Sequence, residues 1–163
     1  MRHKLLPGQA GNNHAIPKAV VVVFILVTVM TIARSLAHLF LPDGGANTIA
    51  TIITFGGTPD PDAVIYNIFA LWGLAQLAMG AMYLIVLLRY RNLIPLVWVF
   101  ILVEYVMRII IGRVLKPMGP DYFAGTAPGA VGNLILAPLA VLMLVLSLAG
   151  RKREARSGAG EEL

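Results

Sequence analysis

Apolar residues run along this chain in four long blocks, at residues 19–40, 63–88, 93–115 and 129–149, separated by short polar or glycine- and proline-rich segments. A helix rises about 1.5 Å per residue, so roughly 20 mostly apolar residues cross the hydrocarbon core of a bilayer. Each block reaches that length, and the pattern predicts an all-α, integral membrane four-helix bundle. The punctuation agrees. Asp60 and Pro61 form a helix start, acid as N-cap and proline at the first position, and Arg89 and Arg91 follow the same span where base suits the helix dipole. Pro95 falls in the first turn of span three, where it is tolerated, and residues 116–120 (KPMGP) stop that span. Pro138 inside span four predicts a kink, and Gly150 predicts its end. Residues 18–150 thus read as one transmembrane domain. Residues 1–17 read as a flexible tail and 151–163 as a basic, polar one.

Two segments resist a simple reading. The first span follows a basic start and ends near the small residues Ser35 and Ala37, as a cleaved signal would, but the basic tail is long and Arg34 precedes the cleavage position, which argues for a retained span. The loop at 41–62 contains TIATIITF at 48–55, too short to cross. Ile49, Ile52 and Ile53 would share one helix face at the membrane surface, and a short strand is the alternative for so many β-branched residues.

Charge then sets orientation. Arg2, Lys4, Lys18, Arg89, Arg91, Arg151, Lys152, Arg153 and Arg156 fall on one side of the four blocks, and Lys116, Arg113 and the loop aspartates on the other. The positive-inside rule predicts that both termini are cytoplasmic. Composition supports the membrane assignment: 163 residues are 58% hydrophobic and 13% charged, with a mean hydropathy of +0.81. The net charge of +5 belongs to helix ends and tails, where topology and anionic headgroups account for it and nucleic acid is not implied. With no cysteine, thiol catalysis, Fe–S clusters, Cys-ligated zinc and disulfide exchange are excluded, and His3, His14 and His38 give no metal spacing, so no cofactor is expected.

Polar residues inside the spans carry what functional signal there is. Glu104 and Arg108 lie one turn apart near the middle of span three. A charge at mid-bilayer costs about 3 kcal/mol on insertion scales, so even a mutually neutralising pair is expensive beside two leucines. Thr28, Thr31, Ser35 and His38 follow helical spacing in span one, with Arg34 beside them. Asn67, Ala70, Gly73, Gln76 and Gly80 do so in span two, and Ala130, Asn133, Ala137, Ala140 and Ser147 in span four. Small and polar stripes of this kind mark the faces that meet in lipid. Taken with span direction, the pattern gathers Arg34, His38, Asn67, Gln76, Glu104, Arg108 and Asn133 in the outer half of the bundle. That predicts a ligand-binding polar cavity open to the outer face, with Glu104 at its floor. The competing reading is a buried charge network that only fixes helix register. Trp72 and Trp98 read as packing residues.

Three function classes fit. A binding or accessory protein would hold an anionic lipid headgroup, a small anionic ligand or a partner's helix, because arginines outnumber carboxylates in the cavity. A small transporter would need to be a homo-oligomer. Small multidrug antiporters share the span count and an intramembrane Glu, but here the Glu is in span three with an Arg one turn away. A membrane enzyme with Glu104 as acid or base is least supported, since neither a nucleophile nor a metal set accompanies it. Over residues 73–115, the Gly73–Gly80 spacing, Arg89 and Arg91 after span two, and Arg108 ahead of a Pro/Gly turn resemble the small four-helix bacterial membrane proteins grouped as DoxX-like and with related families. The resemblance implies a four-helix fold in a bacterial inner membrane and carries over no catalytic residue.

Overall fold

The computed structural model describes residues 5–12 and 16–158, with side chains through residue 149. Arg2, Lys4, His3, His14 and the last residues of the C-terminal tail lie outside the described residues. Among the described residues four long helices make up the fold: α1 (Lys18–Phe40), α2 (Asp62–Arg89), α3 (Ile94–Ile110) and α4 (Pro128–Gly158). A 3-10 turn at Arg91–Leu93 joins α2 to α3, and α3 widens into a π-helical turn at Ile111–Leu115. The stretches Lys18–Phe40, Asp62–Arg89, Arg91–Leu115 and Pro128–Ala149 are each long and apolar enough to cross a membrane. Their bounds agree closely with the hydropathy pattern, because length and apolar content are what the bilayer dictates.

Three local expectations need correction. Gly150 does not end α4, which continues to Gly158. One glycine costs only about 1 kcal/mol in a helix, and the Arg, Lys, Glu and Ala that follow it are good helix formers. The segment at 48–55 forms neither a surface helix nor a strand; it folds through turns and makes one antiparallel bridge, Ile52 to Phe123. Nor is all of residues 1–17 a free tail. Buried Asn92 accepts from the Gly11 amide at 2.9 Å and donates to the Gln9 carbonyl at 2.7 Å, while the Arg91 amide donates to Asn12. The N-terminal segment is therefore strapped across the α2–α3 turn.

α1 packs along α2, and α3 along α4, while the two pairs touch each other much less. Gly73 and Gly80 explain the first pairing. A Cβ on Gly73 would come within 2.8 Å of the His38 Cβ, and one on Gly80 within 2.7 Å of Ile32, so α2 approaches α1 at van der Waals contact only because both positions lack a side chain. The pairs meet at the end that carries the chain termini. There the Phe24 ring lies 5.9 Å from Tyr83 and 5.8 Å, edge-on, from Trp98, centroid to centroid. Ile94, Val97 and Ile101 from α3 and Ala137, Ala140 and Met143 from α4 complete this core. Thr28, Ser35 and Ser147 are buried but return their hydroxyls to the carbonyl one turn back in their own helices, so they serve as small residues at the interfaces and not as hydrogen-bonded glue between helices.

At the opposite end, the two longer loops join into a roof. The Ile53 amide donates to Tyr122 at 3.1 Å, the Ala124 amide donates to Thr51 at 2.8 Å, and the Thr51 hydroxyl donates to Gly125. Asp43 organises the first loop by accepting from the amides of Gly45, Asn47 and Thr48 at 2.7–3.0 Å. Desolvation raises its pKa, but these hydrogen bonds, Thr48 foremost, outweigh it and hold the carboxyl below its ordinary range. Gly44 and Gly45 take positive φ of 60° and 77°, and a Cβ on Gly44 would meet Phe69 at 2.8 Å, so the loop turns back onto α2 only with glycine there.

Candidate functional site

Between the roof and the aromatic core the helix pairs diverge and border a chamber of about 380 Å³. Its walls are mainly apolar: Met30 from α1, Phe69 and Trp72 from α2, Leu136 from α4, with Ile52 and Phe123 overhead. Arg34, His38, Arg108 and Asn133 supply most of the polar wall. Ile49 and Ile52 come down over the bundle because the first loop is pinned to residues 122–125, so the loops cover the cavity at the end where span direction predicts an opening.

The polar residues form one chain of contacts from α1 through α2 to α3. Arg34 donates to the Gln76 side-chain carbonyl. Gln76 passes the interaction on, its amide donating to Glu104 at 2.7 Å. Arg108 donates to the same Glu104 oxygen through Nε at 3.1 Å and through Nη2. Glu104 thus receives donors from a neutral amide and one guanidinium, while Arg34 is satisfied only by an amide and its Nε is buried without a hydrogen-bond partner. The cluster thus holds two cations and one carboxylate, with Gln76 standing between Arg34 and Glu104. Trp72 lies between the two cations, with the Arg108 guanidinium 4.8 Å and the Arg34 guanidinium 5.7 Å from its ring, and Tyr105 flanks Arg108 at 5.5 Å. The faces of aromatic rings stabilise cations where water is scarce. His38, almost fully buried, stacks on Trp72 at 4.8 Å and donates from Nδ1 to the Gly44 carbonyl at 2.7 Å, so Nε2 is the nitrogen left for a further contact.

Six of the seven residues read from spacing therefore converge: Arg34, His38, Gln76, Glu104, Arg108 and Asn133. Asn67 does not. It is exposed and lines none of the three spaces around the cluster. Steps of three along a helix drift by about 60° each, so Asn67, nine residues before Gln76, lies on the opposite side of α2. Trp72 is more than the packing residue it looked like; its position one turn before Gln76 was the available signal. Trp98, by contrast, is fully buried core. Tyr105, next to Glu104, and Met118, beyond the π turn, also line the site. Among the described residues, no three His, Asp or Glu side chains lie close enough to share a metal ion.

Two further spaces adjoin the chamber. A cleft of about 720 Å³ separates α2 from α3, bordered by Gln76, Glu104, Met107, Gly112 and Lys116. A groove of about 220 Å³ between the end of α3 and α4 carries Arg113 and Lys116. Arg108, Met118 and Asn133 line all three spaces, so they meet at Arg108. The π turn, closed by the Lys116 amide donating to Ile111 at 2.8 Å, ends α3 at this junction. Comparison with protein-family models, curated proteins and solved structures finds no match to this chain, so the site's own chemistry is the basis for its interpretation.

Proposed function

We propose that the protein is a multi-pass binding or accessory protein of a bacterial cytoplasmic membrane, with both termini inside, and that its chamber holds an amphipathic ligand with an anionic or carbonyl-rich head. The distribution of Lys and Arg along the sequence supports the orientation. One observation carries the ligand: beside an apolar chamber Arg108 takes up the one carboxylate of the cluster, Arg34 reaches it only through Gln76, and among the described residues the Arg34 Nε has no hydrogen-bond partner. In a low-dielectric setting an uncompensated cation is costly, and an incoming anion or strong acceptor relieves that cost. The volume of the chamber lies at the low end of the roughly 300–1,000 Å³ of small-molecule sites. It suits a headgroup or a single chain, with the head on the arginines and the chain against Met30, Phe69 and Leu136. A pair kept only for helix register would need no such space beside it.

Native mass spectrometry of the gently purified protein tests the reading, comparing wild type with Arg34→Gln and Arg108→Gln. A discrete bound mass in wild type that both folded variants lose supports it and identifies the occupant. A wild type that carries no bound mass, alongside variants that fail to fold, assigns the cluster to helix register instead.

A further inference from the structure

The chamber is roofed, and its polar chain is partly exposed sideways: the Arg108 and Glu104 side chains retain 18% and 24% exposure, toward the cleft between α2 and α3. Ionised side chains in membrane spans normally face a bundle interior or water. The outer borders of this cleft are lipid-like, with Met107 and Ile111 at 40% and 44% exposure. α2 and α3 are bound by the Arg91–Leu93 turn at one end and part toward the other, so the opening widens toward the end where Lys116 stands.

We propose that this cleft is a lateral portal through which a single-chain amphiphile with an anionic head, carboxylate or phosphate, passes from the bilayer into the chamber. The proposal rests on the ligand reading above and adds its source and route. Charge selects the occupant. Arg108 and Lys116 border the cleft with Glu104, and Arg34 lines the chamber beyond, so three cations stand against one carboxylate and the formal excess of positive charge matches an anionic head. A second copy of this chain docked symmetrically would set two such clusters face to face, which like-charge repulsion disfavours. Lys116 meets the head at the rim, Arg108 receives it at the junction, and Arg34 takes it at the end of the path. Met118, with its flexible side chain, lies where cleft and chamber join and can move aside without disturbing a helix.

Gly112 provides the test, because a Cβ there meets nothing within 4 Å, and the residue borders the cleft without lining the chamber. Gly112→Phe fills the portal. Met107→Phe narrows it from another position without adding a tryptophan, in case the first variant does not fold. The full-length protein in nanodiscs is mixed with parinarate, a fluorescent fatty acid, and energy transfer from tryptophan follows binding. Both uptake and release are expected to slow by about tenfold in the portal variants while the equilibrium amplitude is kept, since a gate alters rates and not affinity. Palmitate and lysophosphatidate should displace the probe, and their relative strength distinguishes a carboxylate from a phosphate head. Unchanged rates in folded portal variants overturn the lateral route and leave the ligand reading standing. Displacement by inorganic phosphate alone, or equally well by uncharged hexadecanol, overturns the anionic amphiphile. Wild-type energy transfer no greater than that of Arg34→Gln removes the ligand reading itself.

Discussion

The two halves of this bundle solve the same problem in opposite ways. At the end carrying the termini, all four helices meet around Phe24, Tyr83 and Trp98, and the space between them is filled by apolar side chains. At the loop end the same helices part, and the gap holds Arg34, Gln76, Glu104 and Arg108 around Trp72. Both halves use aromatic rings as their central pieces, yet for different purposes. Trp98 is sealed in the core and contributes contact area. Trp72, one face of the chamber, lies against two guanidiniums and a histidine. In lipid there is little hydrophobic force to hold helices together, so close packing has to do it. The packed half therefore acts as the clamp that allows the other half to remain open and charged.

This contrast predicts different costs in the two halves. Trp98→Ala removes the largest buried side chain of the clamp. It should destabilise the fold by about 3–5 kcal/mol, the range for aromatic truncation in a packed interior, read as a lower melting temperature in a fixed detergent. Glu104→Gln should cost less, about 2–3 kcal/mol, because the pair it breaks is partly exposed through the cleft. Its second consequence is the sharper one. Removing the only carboxylate of the cluster leaves both arginines unopposed, so an anionic ligand should bind more tightly and stabilise this variant more than it does wild type. A core mutation such as Trp98→Ala has no reason to change that increment. If Glu104→Gln loses stability and gains no ligand response, the loop-end half is a structural network like the core.

The smallest effect belongs to the roof. Asp43 has its carboxyl held below the ordinary range by the Thr48, Gly45 and Asn47 amides, against the pull of desolvation. The folded loop therefore binds a proton less readily than the unfolded one. The stabilisation is present above the ordinary carboxylate pKa of about 3.9 and is lost as pH falls through the depressed folded value. Asp43→Asn should cost about 1 kcal/mol of loop stability near neutral pH and flatten that acid dependence. Hydrogen exchange of the Thr48 and Asn47 amides against pH is the measurement.

Much of this arrangement was legible from residue order. Span bounds follow from block length, and the Glu104–Arg108 contact follows from helical spacing, as does the burial of Thr28, Thr31, Ser35 and His38 on one face of α1. Drift misleads where steps of three are chained together, as at Asn67, which the stripe places on the wrong side of α2. What residue order cannot carry is pairing at a distance. The roof depends on residues 51–53 meeting 122–125, and the strap on Asn92 meeting Gln9 and Gly11. Both are small sets of long-range contacts without periodicity, so the closed roof and the lateral cleft emerge only when the helices are placed.

Because the chain has no native cysteine, single cysteines report directly on the contrast. Asn133→Cys lines the chamber and Ala140→Cys lies in the core. The decisive measurement is their labelling rate with anionic and cationic methanethiosulfonates of matched size, in nanodiscs. The account predicts that Cys at 133 reacts, faster with the anionic reagent, and that Cys at 140 stays unlabelled. An unreactive 133, or one that prefers the cationic reagent, would contradict an accessible chamber with uncompensated positive charge.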